Sequence, residues 1–211
     1  MQKLAEGLRD QGFEPHNLDY PSTRQTPEEL LKSIAAAVER CCAGESGRTH
    51  FVGHSLGAIL IRALLAEDPP PTLGRVVLLA PPNRGSEIVD TFGEYAIFEA
   101  ILGPTAVELG TDEGSLPNNL PAPDYELGII AGNQSLSPIG SVLLPGDDDG
   151  TVRIEATRVE GARDFLVVEA THTFIMSEPE VIRQVVHFLK VGMFDHTGEA
   201  LQSEENPDVA Q

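Results

Sequence analysis

Gly53-His54-Ser55-Leu56-Gly57 sets a serine between two glycines in the pattern G-x-S-x-G, a spacing that chance supplies on the order of 0.1 times in a chain this long. Its flanks sharpen the signal. Thr49-His50-Phe51-Val52 reads as a short buried strand, and Leu56 to Leu65 is apolar almost all round, as an enclosed helix must be. A serine at such a strand-to-helix turn projects its Oγ, while Gly53 and Gly57 allow close backbone approach. The backbone N–H of Leu56 then sits at a helix N-terminus, where unpaired amides and the helix dipole favour an oxyanion. The competing reading is a glycine-rich helix entry with Ser55 as an ordinary cap.

A serine hydroxyl is a weak nucleophile until a positioned base takes its proton, so Ser55 needs a histidine and that histidine an orienting carboxylate. His172 stands in Thr171-His172-Thr173, just after the apolar run Phe165 to Ala170, where a loop at a strand's C-terminal end can reach Ser55. The acid belongs in the turn after the preceding strand region, and Leu143 to Val152 offers Asp147, Asp148 and Asp149. The remaining histidines weigh less. His54 occupies the variable position of the motif and His50 opens a strand, where a packed neutral imidazole is the commoner role. His187 falls off the helix face of Ile182, Val186 and Leu189, and His16 and His196 have no evident partners. The aspartate run lacks the alternating ligands and terminal glutamate of an EF-type calcium loop. Asn133-Gln134-Ser135 matches a glycosylation sequon but reads as a turn in a chain not expected to be exported.

The elements that must hold these residues alternate between helix and strand, the pattern of an α/β protein with a mainly parallel sheet. A helix ending near Gly12 is followed by an extended segment from Phe13 to Tyr20. Thr26-Pro27-Glu28-Glu29 is a capping box opening a helix over about 27–42, stopped near Gly44. Val76 to Ala80, Leu127 to Ala131 and Phe165 to Val168 read as strands buried on both faces. Ser177-Glu178-Pro179-Glu180 reads as a second capping box ahead of a helix carrying Ile182, Val185, Val186 and Leu189. Pro81 to Asp124, rich in Gly, Pro and Asn with weak helical patches around Ile88 and Ile97 to Leu102, is an excursion over one end of the sheet. Residues 1–194 thus form one domain, and the polar, acidic stretch 195–211 an expected disordered tail.

Composition bounds the partners. The 211 residues are 41% hydrophobic, enough for a core, and carry a formal net charge of −19, which repels phosphate backbones and anionic membranes. Nucleic acid is therefore excluded as a partner. No apolar run approaches the ~18 residues of a membrane helix, and the opening octet lacks a signal-peptide core, so a soluble, cytoplasmic protein is expected. Cys41 and Cys42 are adjacent, and are expected as two unpaired small residues in a reducing compartment.

Phe51 to Gly57, Ala80-Pro81-Pro82-Asn83-Arg84-Gly85-Ser86, Asp149-Gly150-Thr151-Val152 and His172-Thr173-Phe174 together resemble a bacterial serine esterase or lipase-like member of the α/β-hydrolase superfamily, over residues 1 to about 194. The resemblance implies the chain order Ser, Asp, His. In lipase-like relatives the carboxylate before a Gly-x-Val segment orients the histidine, which maps onto Asp149; Asp148 stays the alternative. It also implies carboxylic-ester cleavage through an acyl-enzyme, with Ser55, His172 and Asp149 catalytic, Leu56 N–H in the oxyanion hole, and no metal or organic cofactor. A non-catalytic scaffold and an acyltransferase using the same serine are the rival readings. Relatives also carry a strand and His-Gly loop ahead of their first core helix, and this sequence has neither. The expectation is thus an N-terminally truncated α/β-hydrolase fold with a gap between the segment Phe13 to Tyr20 and the strand His50 to Val52. Either the segment Phe13 to Tyr20 shifts to pair directly with His50 to Val52, or two copies exchange strands and dimerise through the exposed edges. Pro21-Ser22-Thr23 is the fallback source of a second oxyanion donor. A small excursion further implies short acyl chains.

Overall fold

The computed structural model describes residues 1–19, 25–42, 47–92, 109–135 and 146–197. The expected helical patch at Ile97 to Leu102, the loop Pro21-Ser22-Thr23, the stop at Gly44 and most of the acidic tail lie outside these residues.

Helix α1 (Gln2–Asp10) and helix α2 (Pro27–Cys42) lead into strand β1 (Thr49–His54) and helix α3 (Leu56–Glu67). Strand β2 (Leu73–Leu79), helix α4 (Glu87–Phe92), the single turn α5 (Leu116–Asn119) and strand β3 (Leu127–Gly132) follow. A second single turn, α6 (Ile154–Thr157), precedes strand β4 (Asp164–Val168), and a 3-10 turn (Ile175–Ser177) leads to helix α7 (Pro179–Val191).

The four strands form one sheet in the order β1-β2-β3-β4, every neighbouring pair parallel. Parallel strands need both faces covered, and the two faces of β2 show how the residues divide. Val77 and Leu79 join Ile130, Leu166, Val185 and Phe188 in a core on the side of α1 and α7. Val76 and Leu78 join Leu30, Ile34, Leu60 and Ile129 on the side of α2 and α3. Alternation of period two along the strand thus sends successive apolar side chains into opposite layers. A third, smaller cluster of Ile59, Val89 and Leu109 covers the outer side of α3 with the excursion, which is why that helix carries no polar stripe.

Local signals succeed unevenly. At the start of α2 the Thr26 hydroxyl accepts from Glu29 N–H (3.3 Å) and the Glu29 carboxylate accepts from Thr26 N–H (3.0 Å), the reciprocal bonds of a capping box. The second box does not form. Ser177 lies in the 3-10 turn, the cap of α7 is Glu178 with no side-chain bond, and the Glu180 carboxylate is taken by Arg183 and Gln184. Phe13 to Asp19 makes no strand. Pro15 removes one donor from it, and it meets β1 through side chains, the Phe13 and His50 rings standing edge to face at 5.9 Å. A cavity of about 840 Å3 is lined by residues of α1, α2, 13–19 and β1, and β1 ends the strand order among the described residues. The expected shift of residues 13–19 onto β1 therefore does not occur. The sulfur atoms of Cys41 and Cys42, expected as two unpaired small residues, meet at the last turn of α2. Among the described residues no helix is long and apolar enough to cross a membrane.

Candidate active site

Ser55 stands between β1 and α3 at φ 53°, ψ −124°, a conformation that a side chain adopts only under constraint, at an order of 1–3 kcal/mol. The constraint is visible. Ser55 N–H donates to the Leu79 carbonyl at the end of β2 (3.0 Å), and Ala58 N–H bonds back to the Ser55 carbonyl (2.9 Å). A Cβ at Gly53 would stand 2.8 Å from the Ala58 Cα, so only glycine lets the strand and helix approach this closely. The turn turns the Ser55 hydroxyl toward the C-terminal ends of the strands, where parallel α/β sheets keep their sites.

His172 follows β4 on the loop to the 3-10 turn. Its Nε2 lies 2.9 Å from Ser55 Oγ, and its Nδ1 lies 2.8 Å from Asp149 Oδ2. An ionised carboxylate only accepts, so Nδ1 carries the proton and Nε2 offers its lone pair to the serine O–H. The Asp149 side chain is 1% exposed and that of His172 11%. The other carboxylate oxygen, Oδ1, accepts from Thr151 N–H (3.0 Å) and Val152 N–H (2.8 Å), and His172 N–H donates to the Asp149 carbonyl (2.9 Å). Asp149 is thus gripped by its own turn and grips His172 twice. Gly132, ending β3, leaves the room: a Cβ there would meet the Ala170 carbonyl at 2.4 Å and the Asp149 Cβ at 3.1 Å. The carboxylate of Asp148 faces away, accepting from Gly150 N–H (2.7 Å). Leu56 opens α3, where the first-turn amides have no partner within the helix. Ser55, Leu56, Asp149 and His172 are therefore brought to one place, and Asp148 is not.

Three supports were not readable from the sequence. His54, beside the nucleophile, places Nε2 2.9 Å from the His172 carbonyl; burial foremost, then the charge of His172, lowers its pKa to about 4. Arg62 on α3 is 3% exposed. It donates to Asn83 Oδ1 (2.8 Å) and to the Leu120 and Pro121 carbonyls (3.4 and 3.2 Å), while Asn83 Nδ2 donates to the Thr157 carbonyl (2.6 Å). One guanidinium thereby ties α3 to the loop after β2 and to the end of the excursion. Ser86 Oγ donates to the Thr151 carbonyl (2.8 Å), and Glu87 pairs with Arg153, bracing the acid turn against α4. These contacts join residues 21 to 118 positions apart, a distance at which no local pattern is left. The other histidines stay apart from the serine. His50 accepts from Arg75 N–H (2.8 Å), His187 meets the Met193 carbonyl, and His196 meets Asp164. That last contact corrects the expectation of a partnerless His196. No group of three or more His, Cys, Asp or Glu among the described residues is placed to hold a metal ion.

No protein-family model matches the chain, and no curated protein matches it. Solved structures do. The mature lipase BlEst2 of Bacillus licheniformis superposes with a TM-score of 0.70 at 18% identity, over 90% of this chain and 83% of that one. Phospholipase PlaB of Legionella pneumophila gives 0.64 at 16% identity, over 97% of this chain and 59% of its own. The metagenomic carboxyl esterase MGS0156 gives 0.59 at 22% identity, over 75% and 55%. The chain thus spans most of the first and little more than half of the other two. At such identities the likeness is one of architecture, and together with the parallel sheet and the strained serine turn it leads to one conclusion: the chain has the α/β-hydrolase fold.

Proposed function

We propose that the chain is a serine hydrolase that cleaves carboxylic esters through an acyl-enzyme. The observation that carries this reading is the continuous line Ser55 Oγ, His172 Nε2, His172 Nδ1, Asp149 Oδ2, with links of 2.9 and 2.8 Å. Ser55 attacks the ester carbonyl as His172 takes its proton, and Asp149 stabilises the imidazolium so formed. Negative charge on the former carbonyl oxygen is met by Leu56 N–H. Collapse breaks the bond to the leaving alkoxide, which His172 protonates, and water, deprotonated by the same histidine, then hydrolyses the acyl-serine.

The lipases and esterases of like fold support the class. Soluble short-chain esters fit best, because the described apolar residues of the excursion, Val89, Leu109, Leu116 and Leu120, are spent covering α3. The rate against p-nitrophenyl esters should peak at short acyl chains, and a maximum at long chains with activation by emulsified lipid reverses that assignment. Fluorophosphonate labelling tests the chemistry itself. Wild type should be labelled at Ser55 and hydrolyse p-nitrophenyl acetate; a chain inert to both is a scaffold. Transfer of the acyl group to added alcohols in preference to water makes it an acyltransferase. A cytoplasmic location belongs to the same reading and is checked by cell fractionation.

A further inference from the structure

The strand that delivers the nucleophile also delivers a second imidazole, His54, which the reaction above does not use. Its Nε2 lies 2.9 Å from the carbonyl oxygen of His172, and the two rings stand 5.0 Å apart at 47°. A carbonyl only accepts, so His54 Nε2 carries the hydrogen and donates it. The His172 backbone is then held on both sides of its Cα: the N–H by the Asp149 carbonyl at 2.9 Å, the C=O by His54. Two fixed peptide groups define where the Cα–Cβ bond points, and hence where the imidazole swings between Ser55 and Asp149. The neutrality of His54 matters as well. A second cation 5.0 Å away would oppose the imidazolium that His172 must become, and burial, which holds the His54 pKa at about 4, prevents that.

We propose that His54 is a positioning residue, whose Nε2–H fixes the His172 carbonyl and so keeps the catalytic imidazole in line with Ser55. This rests on the reading of Ser55, His172 and Asp149 as a triad. A plain packing role for His54 makes the opposite forecast for two variants. His54→Phe keeps the ring and loses the donor; His54→Gln loses the ring and keeps an amide donor of similar reach. Positioning demands that kcat for p-nitrophenyl acetate fall about 10-fold in His54→Phe with KM little changed, since small misplacements of a reacting group cost 10- to 100-fold. His54→Gln should recover most of the loss. Packing alone demands that His54→Phe match wild type and His54→Gln be the poorer enzyme, and that order overturns the proposal. The low-field proton resonance of the His172–Asp149 bond gives a readout independent of turnover. It should persist in wild type and His54→Gln and broaden into exchange in His54→Phe; an unchanged resonance in His54→Phe also overturns the proposal. A wild type that neither labels nor hydrolyses defeats the triad reading, whereas the resonance still decides whether His54 holds His172.

Discussion

Two neighbouring aspartates, one on the histidine and one on its own turn, set the sharpest expectation for single residues. Ser55→Ala and His172→Ala should each lower kcat by on the order of 10⁶, and Asp149→Asn by roughly 10⁴, because in the proposed mechanism the three act as one unit with the acid the least costly to lose. Asp148→Asn, at a carboxylate that accepts from the Gly150 amide, should change kcat less than about 10-fold by the same comparison; steady-state hydrolysis of p-nitrophenyl acetate measures all four. His54 sets a second expectation, this time for stability. Its pKa is about 4 in the folded chain against an ordinary 6.5, so between those values the unfolded chain binds more protons. The His54 contribution is therefore complete above about pH 6.5 and declines as the pH falls toward about 4. His50, lowered in the same direction by burial, adds to that slope. Thermal midpoints recorded from pH 4 to 7 should fall with acidity more steeply in wild type than in His54→Phe. The serine and histidine were legible because a motif of five residues and a strand-end loop are local patterns. The choice of Asp149 among three aspartates was not, since it needed a family pattern, and nothing in the sequence shows which carboxylate turns inward.

Among the elements, α3 carries a buried guanidinium held by one amide and two carbonyls. Asn83→Ala removes the amide from that set and leaves the charge short of an acceptor, so it should destabilise the fold by about 1–3 kcal/mol, read from urea unfolding. It should also loosen the loop that follows β2, whose last residue, Leu79, accepts from Ser55 N–H. Helices and strands were readable wherever apolar spacing was strict: α2, α3, α7 and the cores of all four strands match their periodic runs. The departures share one cause. Ser177 and the segment 13–19 satisfied local rules for a cap and an extended strand, but a capping bond needs a free glutamate and a strand needs a partner, and both depend on elements distant in sequence.

For the molecule as a whole, the consequence of the strand order is that β1, the terminal strand among the described residues, looks onto a cavity of about 840 Å3. Backbone groups along such an edge seek partners, and we expect two copies to pair through it. The net charge of −19 opposes that association, and salt screens the repulsion. Sedimentation equilibrium should therefore show a dimer that strengthens with both protein concentration and ionic strength; a monomer under all conditions removes the expectation. The separation of Ser55, Asp149 and His172 along the chain has a different kind of consequence. His172 and Asp149 are 23 positions apart, but Ser55 and His172 are 117 apart, and the parallel sheet between them admits no hairpin shortcut. Closing such long loops costs entropy before any contact repays it. Ser55 and His172 thus meet only when β1 and β4 stand in one sheet, so the proposed function predicts that a nascent or partly folded form of the chain is inert towards esters, with catalysis beginning only where folding ends.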